Sequence, residues 1–152
     1  MRNSIIAFCL GLATSTMGAP VWAQADEMPV YSVQQGVAIS GFDPVSFFYE
    51  DAPLLGQDAY TVMWKGVVWR FSSAENQQMF EANPRAFAPK YGGYCAYAMS
   101  QGNLMDGNPQ HWEIVDGQLY LLFSPAVKDL WLKNRTALQE LADDNWPEVI
   151  RP

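Results

Sequence analysis

The sequence predicts an α+β fold, with a small antiparallel sheet built from two β-hairpins and several short helices in a single domain. Two observations carry this. Lys65-Gly66 and Asp116-Gly117 each separate a pair of β-branched and aromatic runs: Tyr60–Trp64 from Val67–Phe71, and His111–Val115 from Gln118–Phe123. Two-residue connections ending in glycine make tight hairpins, and Asp-Gly is among the strongest short signals for one. Helix-start chemistry then follows each hairpin. Ser72 with Glu75 reads as a capping box, and Ser124-Pro125 supplies an N-cap followed by proline at the first helical position.

The remaining elements fall in order along the chain. Val30–Val33 reads as an edge strand, and Val37–Ile39 is a short apolar run ending at Gly41. Asp43-Pro44 offers an N-cap and first helical residue, with Val45, Phe47 and Phe48 on the buried face. Residues 50–58, with Pro53 and Gly56, form a loop before the first hairpin. The helix after Ser72 turns Met79, Phe80 and Ala82 inward, and Asn83-Pro84 starts a second helical segment to Ala88 with Phe87 and Tyr91 inward. Tyr94–Ser100 reads as a short helix that Gly102 stops. After the second hairpin, Pro125–Lys133 carries Val127, Leu130 and Trp131 on one face. Thr136 caps a last helix through Leu141, and residues 143–147 close the domain. No internal repeat is apparent.

The 152 residues, 49% of them hydrophobic and 14% aromatic, suit one globular domain with a sizeable core. A formal net charge of -7 with no basic run speaks against a nucleic-acid partner. Residues 1–25 read as a secretory signal peptide: Arg2 gives a positive start, Ile5–Ala19 is mostly apolar, and small-residue patterns predict cleavage after Ala23 or Ala25. The domain is then 26–152, expected in the periplasm or secreted, with no other run near the ~20 apolar residues of a spanning helix. Cys9 leaves with the signal, so Cys95 is an unpaired thiol in an oxidising compartment.

Gly41-Phe-Asp-Pro-Val45, the hairpin ending Trp69-Arg-Phe-Ser-Ser73, and Met79-Phe-Glu-Ala-Asn-Pro84 before Tyr91 together resemble a YHS domain. Tyr91-Gly-Gly-Tyr-Cys-Ala-Tyr97, the run Trp112 to Tyr120 and Asn145-Trp146-Pro147 resemble the longer, exported branch of that family. The resemblance implies a metal-binding module with cysteines near the hairpin end and in the following helix. Here those places are Ser72 and Asn76, neither a soft-metal ligand. The exported branch includes selenoproteins whose selenocysteine matches Cys95, which implies redox chemistry at that residue.

Three functional readings are open to this sequence. In the first, Cys95 is the catalytic residue of a thiol oxidoreductase. It would sit in the first turn of its helix, where unsatisfied N–H groups favour a thiolate, with Gly92-Gly93 allowing close approach and Tyr91, Tyr94 and Tyr97 as walls. With no second cysteine it would work through a sulfenic acid or a mixed disulfide with an outside thiol. In the second, Cys95, Met99 and His111 hold a soft metal such as copper for a metal-handling partner. In the third, Cys95 is buried and inert in a non-catalytic interaction domain. No Ser-His-Asp triad and no phosphate loop is recognisable.

Overall fold

The computed structural model describes residues 31–151; the expected signal peptide, Cys9 and Val30 lie outside the described residues. The elements in chain order are β1 (Val33–Gln34), β2 (Val37–Ala38), α1 (Ser46–Tyr49), β3 (Gln57–Trp64), β4 (Val67–Phe71), α2 (Ala74–Ala82) and α3 (Pro84–Phe87). They continue with α4 (Ala96–Ser100), β5 (Asn108–Val115), β6 (Gln118–Leu122), α5 (Pro125–Lys133) and α6 (Arg135–Val149). The fold is α+β, and none of the described helices is long and apolar enough to cross a membrane.

Both expected hairpins form. β3 pairs antiparallel with β4 and β5 with β6, in the register that Lys65-Gly66 and Asp116-Gly117 set. Lys65 and Asp116 both take φ +50°, followed by a positive-φ glycine, so each turn has the left-handed pair that matches strand twist. The hairpins stand in separate sheets. The first belongs to a four-stranded sheet ordered β1-β2-β4-β3, in which β2 lies parallel to β4 through Val37 and Val68. That parallel contact adds to the antiparallel pairing the sequence predicts.

Several boundaries move from their expected places. Ser73, rather than Ser72, caps α2, its hydroxyl accepting from the Asn76 N–H at 3.1 Å. Ser124 caps α5 as expected, accepting from Val127 N–H at 3.3 Å. α1 begins at Ser46 rather than at Pro44, because the Asp43 carboxylate folds back onto the Val45 N–H at 2.8 Å and closes a turn first. α6 starts at Arg135, not Thr136, and runs past Asp143–Trp146 and through Pro147 to Val149. Half-buried Trp146 and Val149 pack on the core here, and that burial holds the helix beyond Leu141.

The chain also contains a repeat that its residue types conceal. A constant shift of 51 residues carries β3 onto β5, β4 onto β6, α2 onto α5 and the start of α3 onto the start of α6 (Gln57 to Asn108, Val67 to Gln118, Ala74 to Pro125, Pro84 to Arg135). The irregularity within the first hairpin, between the Gln57–Phe71 and Thr61–Arg70 pairs, recurs between Asn108–Leu122 and Trp112–Leu121. Both helix caps and both glycines at the strand starts, Gly56 and Gly107, fall into the same alignment. So do two buried ring pairs: Trp69 with Phe80 at 5.1 Å, and Tyr120 with Trp131 at 5.7 Å.

β6 is the wall between the units. Leu119 and Leu121 join Trp69, Phe71 and Phe80 in the first core, while Tyr120 and Leu122 join Trp131, Met99 and Cys95 in the second. Successive strand side chains point to opposite faces, so a strand buried on both reads as an unbroken apolar run, as Leu119–Leu122 does.

Candidate functional site

Tyr91, Gly92 and Gly93 take φ +51°, +61° and +85° and form a tight turn just before Cys95. Gly93 has no room for a side chain, since a Cβ there would stand 2.9 Å from Ile39 Cγ2. The chain leaves this turn extended, with Cys95 at φ -62°, ψ 117°, and α4 begins only at Ala96. Cys95 is therefore the N-cap of a five-residue helix and not a first-turn residue. Its N–H donates to the Met105 carbonyl at 2.7 Å and its carbonyl accepts from Met99 N–H at 2.9 Å. The backbone at this thiol is fixed from both sides.

Cys95 is 1% exposed, yet it lines a cavity of about 470 Å³. Tyr97, Leu104, Met105, Phe123 and Val127 supply most of the wall, and among the described residues no charged side chain contributes. Met105 and Phe123 are themselves exposed, at 45% and 51%, so the cavity reaches the surface between two apolar side chains. Of the three tyrosines expected around the thiol, only Tyr97 lines this cavity. Tyr91 instead donates its hydroxyl to Asp143 at 3.0 Å and packs its ring on Tyr120 and Trp146. Tyr94 is buried, its ring 6.3 Å from Trp146.

Of the residues weighed as metal ligands, Cys95 and Met99 share the second core, and His111 is not part of that cluster. Met99 is fully buried in the second core, four residues on from Cys95, and His111 lies half-exposed on β5; neither lines the cavity at Cys95. Met105, which does, is a soft donor beside the thiol. Among the described residues no three of His, Cys, Asp and Glu gather as a metal site.

The repeat shows what stands at the matching place in the first unit. There the Asp43 N–H donates to the Leu54 carbonyl at 2.8 Å, as Cys95 N–H does to Met105. The turns before them match as well: Phe42 N–H donates to Ile39 at 3.1 Å, and Tyr94 N–H to Tyr91 at 2.9 Å. Asp43 is thus the counterpart of Cys95. Its buried carboxylate accepts from Ser72 N–H at 2.8 Å, Ser72 Oγ at 2.7 Å and Asn76 Nδ2 at 2.6 Å. Shifted by 51 residues, Ser72 and Asn76 become Phe123 and Val127, two walls of the cavity. One unit fills this place with a hydrogen-bonded polar cluster. The other replaces carboxylate, hydroxyl and amide with thiol, phenyl and isopropyl groups, and a cavity remains.

Phe123, Val127, Met105 and Asp43 escape a reading of motifs because each is an ordinary residue where it stands. The 51-residue alignment of the two units finds Met105, Phe123 and Val127, whereas Asp43 lies 52 residues before Cys95, one position off that alignment, and is matched to it by the shared backbone hydrogen bonds. Compared with known proteins, the chain matches no family model, and no curated protein or solved structure is significantly similar to it.

Proposed function

We propose that this is an exported, YHS-like protein that works through the Cys95 thiol at the inner end of an uncharged cavity, in thiol–disulfide exchange with a neutral, apolar partner. The carrying observation is that Cys95, 1% exposed, is nonetheless part of the cavity wall. A buried structural cysteine packs against filled space; this one borders about 470 Å³ of open space where the sister unit has none of the same apolar groups. In the exchange the Cys95 sulfur bonds to one sulfur of a disulfide, the old S–S bond breaks, and the leaving sulfur departs as a thiol carrying the proton from Cys95. With no second cysteine in the domain, an external thiol must resolve the mixed disulfide. Uncharged walls select against charged thiols, because burying a charge without a partner is costly.

The test is alkylation of Cys95 in the folded protein by a neutral maleimide and by anionic iodoacetate, followed from pH 4 to 10. The neutral reagent is expected to modify the folded protein, with Phe123→Ala speeding it and iodoacetate lagging relative to their rates on a free thiol. A thiol inert to both reagents until denaturation makes Cys95 a core residue and ends the proposal.

Soft-metal binding is the second reading, favoured by Met105 lining the same cavity as Cys95. Cu(I) would then bind one to one, with Met105→Ala weakening it, and with Met99→Ala and His111→Ala each weakening it further where those side chains also hold the ion. Binding that survives Cys95→Ser excludes it.

A further inference from the structure

A second cavity, of about 260 Å³, lies beside the first hairpin turn and against the turn at Tyr91-Gly92. Aromatic rings of Tyr31, Trp64 and Trp146 form walls, and Lys65, Arg85 and Lys90 stand at its edge. Three of the nine lysines and arginines in a chain of net charge -7 therefore meet at one small cavity, and among the described residues no carboxylate lines it. Cys95 takes no part in this cavity, so a ligand bound here is independent of the thiol.

The three cations differ. Lys90 is paired with Asp143 at 3.1 Å and sits over the Tyr91 ring at 5.6 Å, which fixes it in place. Lys65 lies over the Trp64 ring at 5.5 Å. Among the described residues neither Lys65 nor Arg85 has an ion-pair partner. The field of Arg85 reaches the cavity wall: burial pushes the Tyr31 phenol up to about 12, and Arg85 opposes that rise. We propose that this cavity binds a small planar carboxylate, an aromatic acid of about one ring, with its carboxylate on Arg85 and Lys65 and its ring between Tyr31, Trp64 and Trp146. Guanidinium presents a fork that matches a carboxylate, and aromatic walls favour a planar body by offset or edge stacking. The volume lies just below the usual range for small-molecule clefts, which fits a single-ring ligand.

Benzoate is the probe, with benzamide, acetate and inorganic phosphate as comparisons, read by shifts of the Trp64 and Trp146 indole N–H resonances. Benzoate is expected to shift both in a saturable way, and benzamide and acetate to bind at least tenfold more weakly. Arg85 and Lys65 are both exposed, so Arg85→Gln and Lys65→Gln leave the fold intact. Arg85→Gln should weaken benzoate about tenfold, the scale of one charge-assisted hydrogen bond. Acetate or phosphate binding as tightly as benzoate removes the role of the rings, and benzamide binding as tightly removes that of the cations. Either result overturns the proposal, as does the absence of any shift at these two indoles.

Discussion

Asp43 and Cys95 hold the same place in two repeated units: the N–H of one donates to Leu54 at 2.8 Å and that of the other to Met105 at 2.7 Å. Their surroundings have diverged in opposite directions. Asp43→Ala leaves Val45 N–H, Ser72 N–H and Ser72 Oγ without their acceptor, and Asn76 Nδ2 with only the longer bond to Ser72 Oγ at 3.2 Å. Removing one partner strands the others, so the loss should be about 3 kcal/mol in urea unfolding, since unpaired buried donors cost ~1–3 kcal/mol each and some regain water. Cys95→Ala, with no side-chain cap hydrogen bond to lose, should cost only about 1 kcal/mol. Equal costs at the two sites would contradict the contrast drawn between them.

The caps give a second comparison. Ser73 and Ser124 are matched N-caps that accept from Asn76 N–H at 3.1 Å and from Val127 N–H at 3.3 Å. Each serine-to-alanine change should lower stability by about 1 kcal/mol. Ser72→Ala, one residue earlier, should act through Asp43 instead, so its effect should vanish in an Asp43→Ala background while that of Ser73→Ala persists. Urea midpoints of the single and double variants check this.

Glycine substitutions separate crowding from backbone preference. A Cβ on Gly56 would lie 2.4 Å from Arg70 Cβ, and one on Gly107 2.5 Å from Leu121 Cβ, the same contact in both units. No side-chain rotation relieves a clash with Cβ, so Gly56→Ala and Gly107→Ala should each cost about 3 kcal/mol, as overpacking does. Gly66→Ala and Gly117→Ala meet no atom within 4 Å, and only their φ of +76° and +73° resists; about 1 kcal/mol is expected. Thermal unfolding of the four variants should rank them in two pairs.

Alkaline pH should act through the tyrosines. Burial raises Tyr31 from 10.0 to about 12, and Tyr91 is raised by burial first and then by the Asp143 carboxylate beside it. The folded state holds these protons more tightly than the unfolded chain. Their contribution is therefore complete below pH 10, and stability falls as pH rises from 10 through about 12. Spectrophotometric titration should show a set of phenols that ionise only as the protein unfolds. Asp143→Asn should let Tyr91 ionise earlier, and Tyr31 unchanged in that variant would confirm that the effect is local.

How much of the fold and the site was legible in the sequence depends on whether a residue's type or its neighbours fix its role. Hairpin turns are local chemistry: Lys65-Gly66 and Asp116-Gly117 need left-handed backbone, and their residues say so. Ser124-Pro125 is equally local. The repeat is not. From Gly56 to Phe87 the identical positions are Gly56/Gly107, Gly66/Gly117, Ser73/Ser124, Asn83/Asn134 and Ala86/Ala137, all turns, caps or small residues. Core positions keep burial while changing type, as Trp69 to Tyr120 and Phe80 to Trp131, so the match lives in packing and not in letters. The cavity at Cys95 escapes for the same reason, because Phe123 and Val127 matter only against what Ser72 and Asn76 do. Extending α6 to Val149 required the tertiary contacts of Trp146, which no cap residue announces.

The equivalence of the two places can be tested by rebuilding one inside the other. Cys95→Asp alone puts a carboxylate into a wall with no charged group and no side-chain donor from Phe123 or Val127. That single change should destabilise the protein by about 3 kcal/mol or more, the scale of an uncompensated buried charge. Adding Phe123→Ser and Val127→Asn restores the hydroxyl and amide that serve Asp43 in the first unit, at positions 51 residues on. The triple variant should recover at least half of the loss, although Phe123→Ser and Val127→Asn without Cys95→Asp should themselves destabilise. Such a sign change between backgrounds arises only from direct coupling. If the three substitutions simply add in urea unfolding, the Cys95 cavity is not the first unit's polar site in another chemistry.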